Sequence, residues 1–156
     1  MRTQLDRTTA PSVSEAWSRV TAFASAVDAS LDKWLADSYR IGLTEYRALG
    51  HLSLASDKEL RVSDLAQQVG LNPSSTTRLV SRLEAKGLAR RDVCSDDGRG
   101  VYAVIEDHGE EVLREVRAPY EAQLQSLLDT VDTHLPSANA SPIAPAMSEV
   151  QAFIAR

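Results

Sequence analysis

Between Val62 and Leu88 the chain stops one helix and restarts another within a few residues, and that interruption limits the folds open to it. The segment reads VSDLAQQVGLNPSSTTRLVSRLEAKGL. Leu65, Ala66 and Val69 recur at helical spacing, with Ser63 as the expected cap and Gly70 as the stop. After Leu71, Asn72 is a favourable N-cap. Pro73 is the residue best tolerated at the first helical position, where no backbone N–H is needed. A second helix is predicted from about Pro73 to Lys86, closed by Gly87. Two short helices joined by a tight glycine-containing turn form a helix-turn-helix pattern.

The second helix has two unlike faces. Leu79, Val80 and Leu83 form its predicted buried side, continued by Leu88. Ser74, Arg78 and Arg82 stand four residues apart and line the opposite face, flanked by Ser75, Thr77 and Ser81. No carboxylate precedes Glu84 on this helix. A small, hydroxylated, cationic surface of this kind can enter a DNA major groove, donate to phosphates and reach guanine edges through arginine. The same spacing also describes a solvated face behind a Ser/Thr-rich helix start. After Gly87 the period changes. Ala89–Cys94 and Val101–Ile105 suit strands, and the turn-rich Ser95–Gly100 lies between them, predicting a β-hairpin with a cationic tip. Lys58–Arg61 is predicted as a short strand pairing with that hairpin.

The net charge of −5 looks wrong for a nucleic-acid binder until it is divided. Residues 61–101 hold seven Lys/Arg against five acids, a local +2, so the remainder carries −7. A local basic surface matters more for DNA than the whole-chain value, and +2 is small enough that affinity should depend on two copies binding together. With 43% hydrophobic and 25% charged residues, the composition is that of an ordinary soluble protein. No membrane-length apolar run or signal-peptide core is present, and the single Cys94 excludes an internal disulfide framework. A cytoplasmic protein with no membrane partner is expected. His51, His108 and His134 are widely spaced, and the chain has no HExxH, no paired cysteines and no glycine-rich phosphate loop. No enzyme, metal site or cofactor is expected.

The flanking segments are helical. From Pro11 to about Tyr39, the residues Val13, Trp17, Val20, Ala24, Val27, Leu31 and Trp34 keep a heptad spacing that needs a partner. A helix from Thr44 to about Ser53 should bury Tyr46, Leu49 and Leu52. Another runs from about His108 to Leu135 with Pro119 inside it, where a kink or a lost hydrogen bond is expected. After a break at Pro136–Asn139, Ser141-Pro142 opens a terminal helix carrying Met147, Val150 and Ile154. Long helices at both ends of a compact module suggest that the termini pack on each other.

Three stretches carry a resemblance to the MarR family of winged-helix transcription regulators. They are LTEYRALGHL (43–52), VSDLAQQVGLNPSSTTRLVSRLEAKGLARR (62–91) and DDGRGVYAVIEDHG (96–109). The order and spacing of helix, wing and following helix all agree, over nearly the whole chain. There are two departures. The family wing often carries Asp-Arg-Arg at its tip, whereas this chain has Asp97-Gly98-Arg99, one positive charge fewer. The family commonly caps the next helix with threonine, whereas this chain has Glu106-Asp107, leaving Asp107 as the expected cap.

The resemblance implies a mainly α fold with a small β-hairpin wing. Residues 1–39 would be an N-terminal dimerisation helix, 40–106 the winged helix-turn-helix module, and 107–156 C-terminal dimerisation helices interlocking two chains. It implies a homodimeric, ligand-responsive regulator, expected to be a repressor, on a pseudo-palindromic double-stranded DNA operator. The DNA-binding set is Pro73, Ser74, Ser75, Thr76, Thr77, Arg78, Ser81, Arg82 and Arg99. Ser74, Ser75, Thr77 and Arg78 are expected near bases, Arg82 near a phosphate, and Arg99 in the adjacent minor groove, steadied by Asp97. A small aromatic or anionic effector would meet Val27, Asp28, Leu31, Glu45, His51 and Tyr120. Cys94 is a rival redox sensor, but it has no activating base beside it in sequence. The other reading is a winged-helix module that binds protein and not DNA.

Overall fold

The structure, a computed structural model, describes residues 12–93 and 100–129. The expected wing tip with Cys94, Asp97 and Arg99, and the expected terminal helix with Met147, Val150 and Ile154, lie outside those residues. In chain order the elements are α1 (Val13–Tyr39), α2 (Leu43–Leu54), a 3-10 turn (Ser56–Lys58), β1 (Glu59–Arg61), α3 (Val62–Val69), α4 (Pro73–Ala85), β2 (Ala89–Val93), β3 (Val101–Ile105) and α5 (Asp107–Asp129). Residues 29–125 make one compact unit, and the chain before and after them belongs to a second.

Local chemistry sets the helix-turn-helix. Gly70 adopts φ 69°, and the Leu71 N–H turns back to the Ala66 carbonyl at 2.9 Å. That left-handed step suits glycine, which has no Cβ to clash. Asn72 then caps α4, its Oδ1 accepting from the Ser75 N–H at 2.8 Å with Pro73 in the first turn. Such a cap contributes about 1 kcal/mol. At the far end, Gly87 (φ 66°) lets the Leu88 N–H return to the Leu83 carbonyl at 2.9 Å. This is the six-to-one bond of a Schellman closure.

Two expected caps are corrected. Ser63 lies inside α3, whose N-cap is Arg61, because β1 runs into the helix without a connecting residue. Asp107 is the first residue of α5; the Glu106 carbonyl before it accepts the Glu110 N–H at 3.0 Å. An N-cap carbonyl makes that bond. The helix continues through Pro119, which is exposed.

The sheet order is β1-β3-β2, all antiparallel, so the Glu59–Arg61 strand does pair with the hairpin. Arg61 lies opposite Tyr102, and Val93 opposite Val101. The core of this unit collects Leu49 and Leu52 of α2, Leu65 of α3, and Leu79, Val80 and Leu83 of α4. Ala103 of β3 and Val116 of α5 complete it, every one fully buried. Tyr46 is only half buried. From α1, Leu31 and Leu35 enter this core. Leu35 lies off the expected heptad, four residues beyond Leu31, where a 3.6-residue period carries the buried stripe.

Gly109 has a packing role that composition does not reveal. A Cβ there would lie 2.2 Å from the Leu88 carbonyl oxygen and 2.9 Å from Ile105 Cγ1. The first obstacle is backbone and cannot rotate away. Gly109→Ala is expected to destabilise the module by about 1–3 kcal/mol or more, read as a lowered thermal midpoint. An unchanged midpoint would show that α5 does not pack this closely on the chain between α4 and β2.

Candidate nucleic-acid interface

The exposed face of α4 is built from hydroxyls whose protons are mostly committed. Thr77 Oγ1 donates to the Pro73 carbonyl at 3.0 Å, and Ser81 Oγ donates to the Thr77 carbonyl at 3.0 Å. Ser74 Oγ donates to the Asn72 side chain at 2.9 Å, which stiffens the first turn. The oxygens of Ser74 and Thr77 keep acceptor capacity. Pro73 and Ser74 are exposed, and Ser75 is half buried. Thr76 is corrected: it is completely buried, with its hydroxyl donating to the Asn72 carbonyl at 3.0 Å, so it cannot meet DNA. It falls on the same stripe as Leu79, Val80 and Leu83.

The two arginines of this face differ sharply. Arg78 is exposed and makes no hydrogen bond or ion pair among the described residues. Its five donors stay available for a base edge or phosphate. Arg82, expected at a phosphate, instead turns its Nε to Glu45 Oε1 at 3.2 Å.

Arg91 of β2 fixes the hairpin to α4, and sequence reasoning missed it. Its Nη2 donates to the Thr77 carbonyl at 2.9 Å and to Ser81 Oγ at 2.7 Å. Nη1 pairs with Glu84 at 2.9 Å, and the Arg91 N–H donates to the same carboxylate at 2.9 Å. Ser81 is therefore a strut between helix and hairpin. Beside this clamp is a groove of about 440 Å³ lined by Arg61, Val62, Ser63, Thr77, Arg91, Gly100 and Val101. Arg61 Nε donates to the Tyr102 hydroxyl at 3.0 Å, directing its guanidinium along the sheet. The groove thus gathers two guanidinium groups and two hydroxyls between α3, α4 and the strands.

Of the six effector residues expected, two are committed elsewhere. Leu31 is core, 1% exposed. Glu45 is 3% exposed and its carboxylate is fully engaged. Lys86 Nζ donates to Oε2 at 2.6 Å, the Gly42 N–H donates to Oε2 at 3.0 Å, and Arg82 occupies Oε1. Burial alone would raise this carboxyl, but Lys86, the Gly42 N–H and Arg82 outweigh it and hold it below the usual carboxylate range. Tyr120 stacks on Tyr46 with ring centroids 4.5 Å apart, and His51 is half buried. Val27 and Asp28 are half buried and belong to the other compact unit.

A capped helix with a free arginine on its exposed face, a preceding helix joined by a tight turn, and an antiparallel hairpin clamped to its side define a winged helix-turn-helix protein. A MarR family model matches residues 41–100. Over 55 residues the chain is 34% identical to the HTH-type transcriptional regulator YfiV of Bacillus subtilis (strain 168). That match spans 35% of this chain and about a third, 34%, of YfiV. The structure is similar to AbsC, a MarR family transcriptional regulator from Streptomyces coelicolor, with TM-score 0.68 and 26% identity over 91% of this chain and 99% of AbsC. It shares its fold with Sco3205 of the same organism, a MarR family regulator solved in complex with DNA. There the TM-score is 0.72 and identity 23%, over 97% of this chain and 91% of Sco3205. Over residues 41–100 the chain thus resembles the MarR family of transcriptional regulators, and it shares the fold of AbsC and Sco3205.

Proposed function

We propose that this chain is a homodimeric, sequence-specific repressor that reads a pseudo-palindromic operator with α4 in the major groove. Arg78 is the principal reading residue, with Ser74 and Thr77 as neighbouring acceptors. The carrying observation is the unengaged, exposed Arg78 on a helix whose start is fixed by Asn72 and Pro73. A guanidinium held on a rigid helix and not yet spent on the protein is what bidentate guanine recognition needs. The groove containing Arg61 and Arg91 supports passage of a phosphate backbone between α4 and the wing. In sequence, Arg99 and Asp97 stand at the wing tip, where an arginine meets an adjacent narrow minor groove. The DNA complex solved for Sco3205 supports the same reading.

The experiment is selection of bound fragments from a random duplex library, followed by anisotropy titration of the recovered sequence against a scrambled duplex of equal length. Recovery of a two-fold symmetric site bound at least about a thousandfold tighter than the scrambled duplex is expected. Recovery of no sequence would overturn DNA recognition and favour a winged-helix module that docks on protein.

A further inference from the structure

The two arginines on the exposed face of α4 carry the same charge at the same helical phase, yet the protein leaves Arg78 open and holds Arg82 down. We infer that Glu45 is a positioning residue for DNA discrimination: it retains the Arg82 cation on α2 and so withholds it from the phosphate backbone. This rests on the DNA-binding reading above and adds to it what limits non-specific binding.

The geometry is that of a hub. Glu45 Oε1 takes Arg82 Nε at 3.2 Å, and Oε2 takes Lys86 Nζ at 2.6 Å. Lys86 Nζ also donates to the Arg40 carbonyl at 2.8 Å, reaching the connection between α1 and α2. On the neighbouring residue, Asp32 Oδ1 of α1 accepts the Leu43 N–H at 2.7 Å and fixes the start of α2. Glu45 thus ties the start of α2 to the C-terminal end of α4, and Lys86 carries the link on to Arg40 between α1 and α2.

The asymmetry of exposure makes this more than a structural pair. The Glu45 side chain is 4% exposed, whereas Arg82 is 53% exposed. The anion is fixed in the protein, and the cation stands at the edge, long enough to reach out when released. Each arginine that reaches a phosphate adds affinity for any sequence, because counterion release does not depend on base identity. A local excess of only two positive charges between residues 61 and 101 makes one withheld cation per chain a large fraction of that non-specific attraction. Glu45 therefore trades bulk electrostatic affinity for dependence on Arg78. Its two cations are Arg82, in the last turn of α4, and Lys86, the C-cap residue just beyond it.

The test titrates four full-length proteins with the selected operator duplex and with its scrambled counterpart across a salt series. They are wild type, Glu45→Gln, Arg82→Gln, and the double variant. Glu45→Gln is expected to bind scrambled DNA about three- to tenfold tighter near 0.1 M salt, with a salt slope steeper by roughly one to two per dimer. Its operator preference should fall by the same factor. Adding Arg82→Gln should remove both changes. Arg82→Gln alone should leave the slope of wild type within about half a unit, since that charge is already neutralised. Equal weakening of both duplexes by Glu45→Gln at unchanged slope would mean a merely structural carboxylate and overturn the inference. So would a slope reduced by about two units in Arg82→Gln, which would make Arg82 an existing phosphate contact. Should Glu45→Gln fail to fold, Arg82→Gln decides alone, because Glu45 there keeps Lys86 and the Gly42 N–H. Wild type that cannot distinguish the two duplexes overturns the DNA reading itself, and the inference with it.

Discussion

Arg78→Ala is expected to flatten the preference for operator over mismatched DNA. Loss of one bidentate base contact costs about 1–3 kcal/mol, and two half-sites bring the total to about 2–6 kcal/mol on the true site. Scrambled DNA, where arginine contributes mainly charge, should lose much less. The fold should be untouched, because Arg78 is exposed and bonds to nothing among the described residues. Circular dichroism and an unchanged thermal midpoint check that assumption. Arg99→Ala provides the contrast. A wing-tip arginine responds to groove width and phosphate charge, so both duplexes should weaken more evenly and the salt slope should fall by up to about two units per dimer. If Arg99→Ala abolished discrimination while Arg78→Ala preserved it, the reading element would be the wing and not α4.

The contrast between what could be read from residues and what could not follows contact distance along the chain. Gly70, Asn72-Pro73 and Gly87 act through bonds spanning three to five residues, so helix ends could be placed from local chemistry alone. The buried side of α4 was equally local. Thr76 belonged to it by period, three residues before Leu79 and four before Val80. Including the whole Ser-Ser-Thr-Thr run in the DNA-binding set overlooked that phase. The clamp and the hub were not legible. Arg82 meets a carboxylate 37 residues away, and Lys86 meets the same group across 41. Nothing in a helical repeat tells which of two equally spaced arginines will find a distant buried anion. Gly109 is a similar case, because its constraint is the Leu88 carbonyl across the fold and not its own backbone angle. Ser63 shows the reverse error. A good capping residue was displaced from the cap because strand β1 abuts the helix directly.

Replacing Trp17 and Val20 together by Asp is expected to yield a folded monomer that has lost operator binding by at least about a hundredfold. Both residues lie on the heptad stripe of α1, and in the single chain Trp17 is 66% and Val20 44% exposed. A tryptophan and a valine held in water forfeit about 1.5–3 kcal/mol each relative to burial, a cost that a second chain would remove. In a dimer burying more than roughly 2,000 Å², the same positions would be dry, and two unpaired carboxylates per chain would be prohibitive there. Because neither side chain is buried in the isolated chain, the substitution should not disturb residues 29–125, whose core is Leu49, Leu52, Leu65, Leu79 and their neighbours. Circular dichroism should therefore match wild type while sedimentation equilibrium shows half the mass. The DNA effect follows from bivalency. Once one module is seated, the second searches at an effective concentration set by the dimer, and that gain vanishes when the chains separate. A weakly basic module, with a local charge of only +2 over residues 61–101, has little non-specific affinity to fall back on. A wild type that sediments as a monomer at micromolar concentration would remove α1 from the interface. A doubly substituted protein that remains dimeric would do the same.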